Sequence, residues 1–71
     1  MNHLSSKKLL HTKWTACQPT NKEKHFLVTA VHCDEVDNPQ TVTLEAVYSQ
    51  RETELDWRDL KDAQRWQTGW Q

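Results

Sequence analysis

Alternation of polar and apolar positions dominates the middle of this chain. In TVTLEAVYS, Val42, Leu44, Ala46 and Tyr48 fall on one side of an extended strand, with Thr41, Thr43 and Glu45 on the other. That two-residue period belongs to a sheet with one wet face. The preceding run, HFLVTAVHC, places Phe26, Val28 and Ala30 on one side and Leu27, Thr29 and Val31 on the other. Apolar on both faces and rich in β-branched residues, it predicts a central strand. KWTACQ also alternates, Trp14 and Ala16 against Lys13, Thr15 and Cys17, until Pro19 removes a ladder donor. It reads as a strand at a sheet edge or entry. TELDW adds a short strand in which Leu55 and Trp57 share a face.

After Trp57 the period changes. Leu60, Ala63, Trp66 and Trp70 recur at spacings of three and four, with Arg58, Asp59, Lys61, Asp62 and Arg65 between them. This stripe predicts an amphipathic helix or two short helical turns. Asp59 or Asp62 is its candidate N-cap, and Gly69 suits a left-handed position at its C-terminal end. Near the N-terminus, Ser5 and Ser6 precede KKLL, the pattern of a cap and a short helical turn with Leu9 and Leu10 as apolar contacts. The expected architecture is mainly β (α+β). It is a small curved antiparallel sheet of about four strands, an SH3-like or Sm-like barrel, with an N-terminal helical turn and a C-terminal helical lid. Gly69 is the sole glycine, whereas tight two-residue hairpins favour glycine at positive φ. Longer turns using Asn21, Asp37 and Asn38 are therefore expected.

Composition sharpens this picture. A chain of 71 residues, 35% hydrophobic and 27% charged, makes one domain, residues 1–71, near the lower size limit for a self-sufficient core. Its four tryptophans therefore matter, since each can bury about 150–250 Å². Trp57 and Trp66 read as core-closing rings and Trp70 as the most exposed. No run approaches the roughly 20 apolar residues of a membrane span, and MNHLSSKKLL lacks the long apolar stretch of an export signal. The expectation is a cytoplasmic monomer with no membrane association and with Cys17 and Cys33 reduced.

The motifs KKLLHTKWTACQP, KEKHFLV, LEAVYSQR and LDWRDLKDAQRWQTGW follow one another almost without gaps. Together they resemble a family of short, tryptophan-rich bacterial proteins of uncharacterised function, across nearly the whole chain. The resemblance implies a stand-alone small domain with Trp14, Trp57, Trp66 and Trp70 as family features. It implies no activity, cofactor or partner.

Candidate chemistry is sparse. His25, His32, Cys17 and Cys33 lack the CxxC or HxxxH spacing that puts two ligands on one ion. Seven apart on the same strand, His25 and His32 face opposite sides, and adjacent His32 and Cys33 diverge, so neither a metal site nor a thiol–imidazole dyad is expected. The carboxylates Asp56, Asp59 and Asp62 read as helix-start residues. With no phosphate loop or serine motif, the chain reads as a non-enzyme without a cofactor. The first functional expectation is a regulatory protein-binding or adaptor module, for an unknown protein partner, using Trp70, Trp66, Tyr48, Arg58 and Arg65, residue types enriched at interface hot spots. The alternative is RNA or single-stranded nucleic-acid binding through Lys7, Lys8, Lys13, Trp14, Lys22, Lys24 and His25. The first 33 residues carry five lysines and only one carboxylate, Glu23, and a lysine stripe around an exposed ring suits phosphates and bases. The overall pI of about 6.4 is low for such a domain.

Overall fold

The computed structural model describes Leu4, residues 7–20 and residues 22–71. Among the described residues five strands form one open antiparallel sheet: β1 (Lys13–Thr20), β2 (Glu23–Cys33), β3 (Pro39–Ala46), β4 (Glu52–Asp56) and β5 (Trp66–Thr68), in the order β4-β3-β2-β1-β5. Between β4 and β5 lies a 3₁₀ turn, Trp57–Lys61. The expected mainly-β class holds. A closed barrel does not form, because β4 pairs only with β3 and β5 only with β1.

β3 follows its alternation faithfully, with Val42, Leu44 and Ala46 all buried and the intervening residues partly exposed. β2 is central, as its two apolar faces predict, but simple alternation fails at Thr29. Val28 opposes Leu44, then Ala30 opposes Thr43 and Val31 opposes Val42, so one extra residue is accommodated on β2. Such a bulge resets the face of every residue beyond it. Phe26, Val28 and Val31 consequently pack on the core together, while Ala30 moves to the other face.

The core comprises Leu9, Trp14, Val28, Val42, Leu44, Leu60 and Trp66, flanked by Ala16, Phe26, Leu55 and Trp57. One face of the sheet is thus closed by Leu9 from the N-terminal segment and Leu60 from the 3₁₀ turn. Leu55 and Trp57 both reach it, as their shared face predicted.

The helical lid is absent. Trp57–Lys61 makes only the 3₁₀ turn, capped by Asp56, whose side chain accepts from the Arg58 backbone N–H. Asp62 then accepts from the Gln64 N–H at 2.9 Å. Aspartates that bond their own following backbone offer the chain an alternative to the helical ladder. The chain turns at Ala63–Arg65 and re-enters the sheet as β5, where Trp66 sits opposite the small Ala16. Ala63 is exposed, and the intended stripe is divided between two faces. Among the described residues the N-terminal segment shows turns but no helix. Its expected cap, Ser5 and Ser6, lies outside them.

Turn geometry departs from the glycine argument in one place. Thr20 pairs with Glu23 across a two-residue link in which Lys22 adopts φ 63°, so a tight hairpin forms without glycine; Asn21 lies outside the described residues. The two longer turns do appear. Asp37 takes φ 62°, and Asp34 accepts from the Val36 and Asn38 N–H groups, each at 2.9 Å. Gln50 takes φ 61° between β3 and β4.

Candidate functional site

Two surface features carry chemistry, one on each face of the sheet. On the core face, β1, β2 and the turn before β5 leave a cleft of about 370 Å³. Ala16, Phe26 and Trp66 line it together with Gln18, Thr20, Gln64 and Arg65. Phe26 and Trp66 meet edge to face, with centroids 5.3 Å apart, a favoured arrangement for two rings. Glu23 lines the same cleft and is 5% exposed. It accepts hydrogen bonds from the Ser49 hydroxyl and the Arg51 guanidinium, which joins the β1–β2 turn to the β3–β4 turn. The Ser49 bond, then the Arg51 bond, hold its carboxyl below the usual range against the opposing effect of burial.

On the outer face the last three residues fold back across β1 and β2. Gly69, at φ 74°, supplies the positive φ expected of it, although it follows a strand rather than a helix. Thr15, on the face opposite Trp14, is buried beneath this tail. Its hydroxyl donates to Gly69 O at 2.7 Å and accepts from Gln71 N at 2.9 Å. Trp70 is fixed by its indole N–H, which donates to Phe26 O at 3.0 Å. Lys13 Nζ sits 4.7 Å from the Trp70 ring centre, and the His25 ring lies 5.9 Å away. His25 Nε2 is also 2.9 Å from Gln71 O.

The sequence-derived sets are only partly assembled. Trp66 is 8% exposed and forms the cleft floor with Arg65 nearby, whereas Trp70, 43% exposed, occupies the opposite face. Tyr48 projects from the β3–β4 turn at 68% exposure. Arg58 is forked onto Asp56 at 3.2 and 3.1 Å, and Arg65 lies 3.8 Å from Asp59. A single groove holding both Trp66 and Trp70 is therefore absent, because the sheet runs between them.

Of the nucleic-acid set, Trp14 is 1% exposed, with its indole N–H donated to Thr12 Oγ1 at 2.9 Å; it presents no ring to a base. Lys7 and Lys8 are exposed on the N-terminal segment. Lys8 and Lys13 line a cavity with Trp14, Lys13 and His25 also approach Trp70, and Lys22, Lys24 and His25 line a separate cavity with Tyr48. The approach of Lys13 to Trp70 was not expected from the sequence. The available signal was Gly69, a reversal point that lets the following ring double back.

His25 and His32 share the outer face, contrary to simple alternation, because the bulge between them reverses parity. They do not converge. His32 Nε2 is 3.1 Å from Thr43 Oγ1 and 3.5 Å from Glu54. Both thiols are free, and Cys17 Sγ reaches Ala63 O at 3.6 Å. Among the described residues no group of three or more His, Cys, Asp or Glu is placed to hold a metal ion. No helix among them is long and apolar enough to cross a membrane.

No curated protein and no solved structure matches this chain. A family of unknown function described as Tryptophan-rich protein (DUF2389) matches residues 12–71, a span that takes in every strand, the cleft and all four tryptophans. The chain belongs to that tryptophan-rich family.

Proposed function

We propose that this domain is a non-enzymatic protein-binding module of the adaptor or regulatory kind, which seats an apolar side chain of its partner over Phe26 and Trp66. The observation that carries this reading is the cleft itself: an aromatic floor bounded by Gln18, Thr20, Gln64 and Arg65. A concavity with apolar walls and a few convergent polar groups is the usual form of a binding site. Gln18, Thr20 and Gln64 offer donors and acceptors to a peptide backbone, and Arg65 offers a charge at the rim. The floor is also stiff, because Trp66 is held between β1 and Phe26, so little ordering entropy is lost on binding. We take the module to act as a cytoplasmic monomer without a cofactor.

Peptides selected from a random display library against the folded domain provide the test. Selected ligands should carry a large apolar residue and should shift the amide resonances of Ala16, Gln18, Phe26, Gln64 and Trp66 in ¹⁵N spectra. Ligands that leave those five unmoved while perturbing other positions would overturn the cleft as the site.

A further inference from the structure

We propose that the outer face carries a second binding site, for a short single-stranded nucleic acid, running from Lys13 past Trp70 and His25 to Lys22, Lys24 and Tyr48. Pairing of β1 with β2 sets Lys13 opposite Leu27 and Thr15 opposite His25, so a cation and an imidazole stand on adjacent strands of one face. The returning tail inserts Trp70 between them. Its one polar side-chain atom is already bonded to Phe26 O, yet the residue remains 43% exposed. Lys13 Nζ lies over the indole and the His25 ring is tilted against it, so a stacking base takes the place of the Lys13 ammonium, which moves to a phosphate. Lys22 and Lys24 line a cavity of about 350 Å³ with His25, Val47 and Tyr48, which extends the same strip to a second exposed ring.

Charge separates a nucleic acid from other occupants. Lys13, Lys22 and Lys24 form no ion pair with any described carboxylate. Glu23, their neighbour in sequence, lines the cleft and is held by Ser49 and Arg51. The acidic side chains of the outer face, Glu45, Glu52, Glu54 and Asp56, lie on β3 and β4, beyond Leu27. The face is thus basic over β1–β2 and acidic over β3–β4, and a polyanion is confined to the first half. From the level of Leu27 to Lys22 the strip spans about 17 Å at about 3.3 Å per residue. Lysines on phosphates with bases stacked on aromatic rings is the general mode for single strands, in which the bases are free to unstack. Duplex bases are not available to Trp70 or Tyr48 in that way.

Titration of a fluorescein-labelled oligodeoxythymidylate, read by anisotropy, tests the proposal. Three phosphate contacts give a slope of log affinity against log salt of about −2 for a single strand. The Lys22→Gln/Lys24→Gln double variant should reduce it to about −0.7, and Trp70→Ala should weaken binding about tenfold while Trp70→Phe retains most of it. Absence of binding at 50 mM salt overturns the site. So does equal affinity for polyglutamate or polyphosphate, which would mark a general polyanion surface. A Trp70→Ala protein that is folded and binds like wild type also overturns it; should that variant not fold, an unchanged salt slope in the lysine double variant is decisive.

Discussion

Glu23 shows how one side chain can link two turns that are distant in sequence. It is nearly buried, and both its donors, Ser49 and Arg51, come from the β3–β4 turn. Its carboxyl is held below the usual range, so it stabilises the fold at neutral pH, where it is ionised in both folded and unfolded chains. That contribution is lost as pH falls from about 4.5 through the lower folded value. Glu23→Gln should therefore unfold at lower urea than wild type at pH 7, and the gap should narrow as both are titrated below pH 4.5. A gap independent of pH would show that packing, not charge, is what Glu23 supplies. Nothing in the sequence singled out this residue. A lone glutamate in a polar NKEK turn looks solvated, and its partners become visible only once two hairpins lie side by side.

Elements were legible where a single period ran unbroken. Val42, Leu44 and Ala46 declare β3, and the apolar character of both faces declares β2 as central. Two elements misled for identifiable reasons. Thr29 carries no local mark of a bulge, yet it exchanges the faces of Ala30 and Val31 and brings His25 and His32 to one side. In the C-terminal segment, Leu60, Ala63, Trp66 and Trp70 imitate a helical stripe, but Asp56 and Asp62 each close a turn on their own backbone. Leu60 then buries its side chain from a 3₁₀ turn, and Trp66 buries its ring from a strand. Anchoring of this crossing depends on Leu60, which joins the core cluster with Leu9 and Leu44. Leu60→Ala should cost about 2–4 kcal/mol, measured by urea denaturation. A loss below about 1 kcal/mol would mean that the 3₁₀ turn collapses readily onto the space left, and that the β4-to-β5 connection is held mainly by the β1–β5 ladder.

At the scale of the whole molecule, an open sheet has two edges to protect, and the chain protects them differently. β5 is only three residues long, Trp66–Thr68, and the chain leaves the ladder at Gly69 to cross the outer face. β4, Glu52–Asp56, is longer and exposes its outer edge. Its outer-face residues are Glu52, Glu54 and Asp56, with Glu45 directly opposite Glu52. Charges on an exposed edge oppose addition of another strand, and two antiparallel copies of β4 would bring these carboxylates face to face. In the proposed nucleic-acid site the same acids would confine the polyanion to the β1–β2 half. Asp56 is partly neutralised by Arg58, which leaves Glu52 and Glu54 as the principal guards. Glu52→Thr/Glu54→Thr should therefore associate: light scattering after size exclusion should show a mass that rises with concentration, while wild type stays at the 8.4 kDa of a single chain. Thioflavin binding that grows with the same concentration would identify the β4 edge, rather than the aromatic surfaces, as the route. A variant that remains monomeric at every concentration would show that twist and the adjacent 3₁₀ turn, not charge, keep β4 unpaired.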